Sequence, residues 1–246
     1  IREILVITSP EAQPAFQHLL GDGHRLGLSI SYAEQAAPNG LAEAFIIGEE
    51  FIDGDSCALI LGDNIFYGHG LGELLTSAAG LTSGARIFTN WVSDPERFGV
   101  AGFDDNGKVT NLVEKPTDPV SNWAVVGLYF FDSKVSEIAK TVTPSARGEL
   151  EILDVIQDYL DKGILDVEKL GRGYAWLDTG TPQSLLQAST FVQTIEQRQG
   201  LSVCCPEEIA LAQGFIDLNA FRKIAEEMGT SDYGKIMARI VDQSEA

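Results

Sequence analysis

The sequence predicts an α/β fold, in which a mostly parallel mixed sheet is flanked by helices and followed by a C-terminal helical appendage. Short apolar runs, such as residues 58–61, are typical of strands buried on both faces. Segments with apolar residues at helical spacing, such as residues 71–79, lie between these runs. Beyond Gly200 the pattern is helical only, with no strand after Val203.

Each predicted element depends on a local signal. Alternating or continuous apolar residues predict strands at residues 3–8, 28–32, 58–61, 85–92, 100–103, 109–114, 123–131, 165–170 and 174–177. The early strands alternate with helical segments, and this βαβαβ order favours parallel pairing. The turn Asp104-Asp105-Asn106-Gly107 predicts a hairpin between residues 100–103 and 109–114.

The predicted helices have start signals, stop signals or apolar stripes. Pro14 occupies the first turn of one helix and Gly21 ends it. Leu150, Leu153 and Ile156 form the stripe of another. The full set is residues 14–20, 41–51, 71–79, 133–142, 149–160, 181–199, 206–213, 217–228 and 232–241.

Composition limits the class of function. The chain has 246 residues, 44% of them hydrophobic, enough for one large α/β domain with a helical appendage. Its net charge of −19 argues against nucleic acid or an anionic membrane as partner. No apolar run reaches membrane-spanning length. The three cysteines, Cys57, Cys204 and Cys205, have neither metal-site spacing nor a disulfide framework. We therefore expect a cytoplasmic protein.

Two aspartates are the strongest candidates for chemistry. Asp63 follows the apolar strand Ala58-Leu59-Ile60-Leu61, and Asp178 follows Tyr174-Ala175-Trp176-Leu177. In an open α/β sheet, ligands bind at the carboxyl ends of strands. Two carboxylates at two strand ends would hold Mg²⁺ against phosphate oxygens. The alternative is that both are ordinary turn or helix-cap residues.

Three further segments are candidates for binding. Gln35 could pair with a nucleobase edge, with Gly40 allowing close approach of a ring. Glu114 and Lys115 end a strand before a proline, and suit sugar hydroxyls and a phosphate respectively. Gly99 is another position for close approach. Each segment also has a plain interpretation, as a loop, a rim ion pair or a turn.

Taken together, these segments resemble the glucose-1-phosphate thymidylyltransferases of the sugar-nucleotide nucleotidyltransferase family. The matching stretches run from Ile1 to about Gly200 and include AEQAAPNGLAEAF, LILGDNIFYGHG, DPERFGV, EKP, SNWAVVGLYFFD, RGELEI, GRGYAWLDTGT and FVQTIEQRQG, with CPEEIA beyond them. The resemblance implies a Rossmann-like fold of the nucleotide-diphospho-sugar transferase type. It also implies a nucleotidyltransferase that converts dTTP and glucose 1-phosphate to dTDP-glucose and pyrophosphate with Mg²⁺.

The resemblance also assigns roles to particular residues. It implies thymine contacts for Gln35 and Gly40, and Mg²⁺ ligation by Asp63 and Asp178, with Asp63, Asp178 and Lys115 as the catalytic set. Sugar and sugar-phosphate binding would fall to Gly99, Glu114, Lys115, Val125 or Val126, Tyr129, Arg147 and Trp176. A regulatory nucleotide site would involve Gly68, Glu73, Arg172, Glu208 and Ile209. We expect residues 1–200 to form the transferase domain and residues 201–246 an interface and regulatory region.

The resemblance further implies an allosteric homotetramer that supplies dTDP-rhamnose for lipopolysaccharide or cell-wall polysaccharide. One departure is clear, because the family's first strand and its glycine-rich Gly-Thr-Arg loop have no counterpart in this sequence, which begins at Ile1 without Met. We therefore expect the true N-terminus to lie upstream, and the 246 residues alone not to turn over. Two alternatives stay open: a non-catalytic nucleotide-sugar or regulatory module, and a sibling transferase that uses UTP or CTP.

Overall fold

A computed structural model describes residues 1–245. Its strands are β1 (Glu3–Thr8), β2 (Ser29–Glu34), β3 (Cys57–Ile60), β4 (Asn64–Gly68), β5 (Ala85–Trp91), β6 (Gly99–Phe103), β7 (Val109–Glu114), β8 (Trp123–Phe131), β9 (Leu165–Leu170) and β10 (Tyr174–Asp178). Its helices are α1 (Gln13–Leu20), α2 (Glu43–Ile47), α3 (Glu49–Ile52), α4 (Leu71–Ala79), α5 (Val135–Ala139), α6 (Ile152–Asp161), α7 (Pro182–Gln199), α8 (Pro206–Ala212), α9 (Leu218–Met228) and α10 (Asp232–Glu245). Two short 3₁₀ helices lie at His24–Leu26 and Pro95–Arg97.

The backbone groups into two compact units. The sheet unit is Glu34–Gly180, and the terminal unit is Ile1–Ala33 with the chain from Thr181 onward. The predicted functional division at residue 200 stays a prediction. In the part of the chain that the structure describes, no helix is both long enough and apolar enough to span a bilayer.

The sheet unit is built on a mixed sheet. Its strands run in the order β7-β6-β8-β5-β9, and β3 also pairs with β8. The α/β class is confirmed, but within this sheet the expectation of mostly parallel pairing is wrong, because β5 and β9 pair in parallel and its other described pairs are antiparallel. Two features contribute to this. Strands β6 and β7 are joined by the predicted tight turn, which makes them antiparallel, and β1 and β2 pair in a separate two-stranded sheet, so they add no strand to the mixed sheet.

Side chains of β8 alternate between two apolar clusters, one on each face of the sheet. Val125, Tyr129 and Phe131 face the cluster that includes α2, α5 and α6. The alternate residues Val126 and Leu128 face a second cluster with α4. All five side chains are buried, and burial of each large apolar side chain stabilises the fold by about 1.5–3 kcal/mol. The central strand is therefore held from both sides.

Several elements differ from the sequence expectation. The helix expected over residues 41–51 is divided at Gly48 into α2 and α3. Helix α6 begins at Ile152 rather than residue 149, because Glu151 has extended backbone angles. Strand β4 was not predicted, since its pairing partner β10 is more than 100 residues distant in sequence.

In the terminal unit, α8, α9 and α10 surround a third apolar cluster that includes Phe221, Ile224 and Met237. This agrees with the predicted helical character of the chain after Gly200. Helix α7 begins with a capping box, in which Thr181 and Ser184 exchange hydrogen bonds. Such a cap satisfies backbone N–H groups that the first helical turn leaves unpaired.

A buried hydrogen-bond network ties three elements of the sheet unit together. The Asp132 carboxylate, 8% exposed, accepts from the Gly84 amide at 2.6 Å and from the Tyr159 hydroxyl at 2.9 Å. It also accepts from the Lys134 amide at 3.0 Å. A buried carboxylate needs such donors, because an unpaired charge in an apolar interior is costly.

We predict that Tyr159→Phe lowers the free energy of unfolding by about 1.5–3 kcal/mol, the range for a hydrogen bond to a charged group. Urea denaturation measures this change. The matched control is Tyr32→Phe, whose hydroxyl donates to the Gly21 carbonyl at a solvent-accessible position. That control should cost about 1 kcal/mol or less, because water replaces the lost partner. Equal costs would show that Asp132 does not need the tyrosine.

Candidate active site

A pocket of about 260 Å³ opens on the sheet unit where β4, β7, β8 and β10 converge. It brings together most of the residues predicted for catalysis and sugar-phosphate binding. These are Asp63, Gly99, Glu114, Lys115, Val125, Tyr129, Arg147, Trp176 and Asp178. Residues separated by up to 115 positions in sequence therefore line one cavity.

The pairing of β4 with β10 places the two aspartates side by side. These strands are antiparallel, and Asn64 at the start of β4 lies opposite Asp178 at the end of β10. Asp63 immediately precedes Asn64, in a turn closed by the Asn64 amide donating to the Leu61 carbonyl at 3.1 Å. The Asp63 carbonyl in turn accepts from both the amide and the hydroxyl of Thr179, at 2.9 and 2.8 Å.

The two carboxylates face a common space beside Gly180. A Cβ placed on Gly180 would lie 3.4 Å from Asp63 Oδ2 and 3.2 Å from Asp178 Oδ1. The two oxygens are therefore separated by less than twice 3.4 Å. Carboxylate oxygens are the ligands that a hard divalent cation such as Mg²⁺ takes, at about 2.1 Å each, so this shared space is the candidate position for one. Among residues 1–245, no group of three or more acidic, histidine or cysteine side chains forms a metal cluster.

Lys115 has a backbone conformation that is unusual for a side-chain-bearing residue. Its φ is 41°, and its amide donates to the Phe98 carbonyl at 3.0 Å. Backbone strain of this kind is found at binding sites, where the surrounding structure enforces it. Here it turns the chain sharply after β7, so that Glu114 and Lys115 both line the pocket.

Arg147 is held by three carboxylates. Its guanidinium donates to both oxygens of Glu151, at 2.9 and 2.8 Å, and lies 3.2 Å from Glu149 and 3.5 Å from Glu114. The Ser145 hydroxyl also donates to Glu151, at 2.6 Å. A bidentate guanidinium–carboxylate pair has a defined geometry. Arg147 is thus oriented toward the pocket before any ligand binds.

The same cluster shifts the pKa values of two carboxyl groups in opposite directions. Burial, followed by the charge of Glu151, raises the pKa of Glu114 above its ordinary value. Burial would also raise the pKa of Glu151, but hydrogen bonds from Arg147 and Ser145 outweigh it and lower that pKa. Glu114 therefore binds a proton more tightly than an exposed glutamate does.

The predicted thymine-contact residues lie together but are engaged with their own loop. The Gln35 side-chain amide donates to the Gly40 carbonyl at 3.1 Å and to Glu43 at 2.7 Å. Gly40 has φ 111°, and a Cβ there would collide with the Leu150 backbone. Gly40 therefore has a structural reason to be glycine. Leu41, the next residue, lines the pocket.

The structure places the predicted sugar-pocket residues unequally. Val125 lines the pocket, whereas Val126 is fully buried on the opposite face of β8, because successive strand side chains alternate. A Cβ on Gly99 would lie 2.8 Å from Leu153 and 3.1 Å from Glu114, so only glycine leaves both side chains in place. Trp176 packs edge-on against Phe98, with ring centroids 5.0 Å apart.

Sequence reasoning missed several polar pocket residues. Arg97 lies 3.7 Å from Asp178 and 2.8 Å from Asp94. Glu149 and Glu151 alternate with apolar neighbours, a pattern that could have indicated extended backbone rather than helix. Asn64 stands directly after Asp63, but its importance depends on contacts with distant residues.

The predicted regulatory residues are divided between the two units and stay predictions. In the sheet unit, Gly68 pairs with Tyr174 across β4 and β10, Glu73 is exposed on α4, and Arg172 is exposed in the turn before β10. In the terminal unit, Glu208 and Ile209 lie on α8.

Comparison with known proteins identifies the family of this chain. The nucleotidyl transferase family model matches residues 1–195. Glucose-1-phosphate thymidylyltransferase of Xanthomonas campestris pv. campestris (strain B100) is 54% identical over 98% of this chain and 81% of its own length. The enzyme of that name from Mycolicibacterium smegmatis is 53% identical over 99% of this chain and 84% of its own.

A solved structure gives the same result. A Bacillus anthracis protein assigned as a glucose-1-phosphate thymidylyltransferase, crystallised with sucrose, superposes with a TM-score of 0.70 at 38% identity. The match covers 78% of this chain and 76% of that one. This chain belongs to the nucleotidyl transferase family, and it has the α/β fold of the nucleotide-diphospho-sugar transferase type.

We predict opposite pH dependence for two glutamine variants of the cluster. A raised folded-state pKa costs stability as pH rises from the unfolded value through the folded one, so Glu114→Gln should be more stable than wild type at pH 7 but not at pH 4. A lowered folded-state pKa adds stability above the unfolded value and loses it in acid, so Glu151→Gln should be less stable at pH 7, with the difference shrinking toward pH 3.

Thermal unfolding from pH 3 to pH 7 measures both effects, which should reach a few degrees in Tm, since about 1 kcal/mol moves Tm by about 2–4 °C at this size. Glu137→Gln is the control, because the Glu137 side chain is 71% exposed and pairs only loosely with Lys134 at 3.6 Å. Parallel pH profiles for the two pocket variants would contradict the assignment of these shifts.

Proposed function

We propose that this chain is a glucose-1-phosphate thymidylyltransferase, which transfers a thymidylyl group from dTTP to glucose 1-phosphate and releases pyrophosphate. The observation that carries this proposal is the pocket itself. It combines two converging carboxylates with a lysine, an arginine and a sugar-sized cavity. The names and identities of the relatives support the choice of substrates.

In this reaction a phosphate oxygen of glucose 1-phosphate attacks the α-phosphorus of dTTP. A new P–O bond forms there, the bond to the β-phosphate oxygen breaks, and pyrophosphate leaves with its electron pair. Glucose 1-phosphate is already largely ionised at neutral pH, because its second pKa is about 6. No general base is required, and catalysis depends on holding two anions in line and offsetting their repulsion.

We assign the sugar phosphate to the cationic side of the pocket. The Lys115 ammonium would contact the phosphate as a point charge, with the pre-oriented Arg147 guanidinium nearby. Glu114 would accept hydrogen bonds from sugar hydroxyls, and Val125 and Trp176 would form apolar walls against the ring. Since Arg147 is already fixed by Glu151, little side-chain entropy would be lost on binding.

We assign the thymine ring to the Gln35–Gly40 loop, which adjoins the pocket through Leu41. The side-chain nitrogen of Gln35 is occupied by Gly40 and Glu43. Its amide oxygen has acceptor capacity for the N3–H of a pyrimidine such as thymine or uracil. A glutamine at this position therefore suits a thymine or uracil nucleotide, and the relatives' names favour thymidine over uridine.

The pocket also explains why a divalent cation would be needed. Five carboxylates line it, those of Asp63, Glu114, Glu149, Glu151 and Asp178, against three cations, those of Arg97, Lys115 and Arg147. The excess of negative charge in the pocket would repel a nucleotide phosphate group unless a cation neutralised part of that charge. We propose Mg²⁺ between Asp63 and Asp178, where it would neutralise phosphate charge. We also propose the cytoplasm and a homotetramer as the setting, together with a role in dTDP-rhamnose supply.

Binding is the appropriate test, because residues 1–246 contain no Gly-Thr-Arg segment for the triphosphate. Isothermal titration should show that the chain binds dTDP-glucose in the presence of Mg²⁺, and more weakly in EDTA. UDP-glucose should bind more weakly than dTDP-glucose. Equal affinity would favour a sibling transferase instead, and no binding of either nucleotide sugar would overturn the proposal.

We predict that Lys115→Ala weakens binding of glucose 1-phosphate by about tenfold or more, which corresponds to a charge-assisted contact of about 1.5–3 kcal/mol. The affinity for dTMP, which lacks the sugar phosphate, should change far less. The matched control is Lys108→Ala, a lysine in the exposed hairpin turn after Asp104, which should leave both affinities unchanged. If Lys115→Ala and Lys108→Ala behave alike, Lys115 does not bind the phosphate.

A further inference from the structure

We infer that Asn64 is a positioning residue, which sets the orientation of the Asp63 carboxylate and links it to the Trp176 wall of the pocket. This inference rests on the proposed function, since it concerns residues that would hold the cation and the sugar. Asn64 is the first residue of β4 and lies in register with Asp178 on β10. Its side chain makes hydrogen bonds in three directions.

The donors around Asn64 determine which way its amide points. Its Oδ1 accepts from the Trp176 indole N–H at 2.6 Å and from the Gly127 backbone N–H at 3.1 Å. Both partners can only donate, so the oxygen must face them. The amide nitrogen must then face the other way, where Nδ2 donates to Asp63 Oδ1 at 2.8 Å.

Gly127 shows that the fold accommodates this amide closely. Between Ile87 and Thr89 of β5, strand β8 carries two more residues than its partner, and Gly127 lies in that irregular stretch. A Cβ on Gly127 would lie 2.6 Å from Asn64 Oδ1 and 2.7 Å from Leu61. The bulge thus frees one backbone N–H from the ladder, and Asn64 satisfies it.

The consequence for Asp63 is geometric. With Oδ1 held by Asn64, the other oxygen, Oδ2, is the one directed at the space shared with Asp178 beside Gly180. Outer hydrogen bonds of this kind orient a ligating carboxylate and typically change metal affinity by about 10–100-fold when removed. The same amide fixes the indole of Trp176, so cation site and sugar wall share one support.

The test measures the affinity for dTDP-glucose with and without Mg²⁺. Its readout is the dissociation constant without Mg²⁺ divided by the dissociation constant with Mg²⁺. For Asn64→Ala we expect the ratio of the Mg²⁺-free to the Mg²⁺-containing dissociation constant to fall by about tenfold or more toward 1. The Mg²⁺-free affinity should fall by a smaller factor, because the Trp176 wall loses one hydrogen-bond partner. Trp176→Phe keeps an aromatic wall but removes the indole donor. It should reduce the ratio by a smaller factor, and the double variant should be no worse than Asn64→Ala, because the two side chains act as one unit.

Asn122→Ala is the matched control, since Asn122 donates to the Val92 carbonyl at 2.8 Å in the same unit and outside the pocket. A residue that only filled the bulge would lower Tm and both affinities alike, leaving the ratio at its wild-type value, and that result would overturn the inference. If Asn64→Ala does not fold, the ratio for Trp176→Phe decides, because an unchanged ratio there breaks the proposed link. Failure of wild type to bind dTDP-glucose would instead show that the proposed function is wrong.

Discussion

The antiparallel pairing of β4 with β10 is the interaction on which the site depends. It joins two chain segments more than 100 residues apart and places Asp63 beside Asp178. Thr179 strengthens the junction by donating twice to the Asp63 carbonyl. The carboxylates meet because one strand starts where its partner ends, not because two parallel strands of one sheet finish at the same edge. The ladder therefore positions both candidate ligands through backbone hydrogen bonds.

Charge is the second constraint. The chain is strongly acidic, and its pocket contains more carboxylates than cations. The charges are paired: Arg147 contacts three glutamates, and its hydrogen bonds help to lower the pKa of Glu151. Glu114 is left with a raised pKa beside Lys115. The result is a pocket in which Arg147 is oriented before any ligand binds and five carboxylates stand against three cations.

The buried sheet supplies the rigidity that such a site requires. Strand β8 is packed on both faces, and its alternation decides that Val125 faces the pocket while Val126 does not. The bulge at Gly127 interrupts this regular strand at the one point where Asn64 reaches it. An irregularity beside the pocket thus lies on a well-packed strand, as is common for bulges near active sites.

Local patterns in the sequence determined the α/β class, most strand and helix positions, the hairpin at residues 104–107 and the candidates Asp63, Asp178, Glu114 and Lys115. These depend on periodicity, turn residues and strand ends, which neighbouring residues encode. Tertiary structure alone decided the antiparallel pairing of β5 and β6 with β8, the approach of Glu114 to Arg147, and the contacts of Asn64 with Gly127 and Trp176. Each of those depends on partners distant in the chain, so no local pattern could encode it. The order of strands in a sheet is settled by which pairings bury the most apolar surface and leave the fewest unpaired backbone groups.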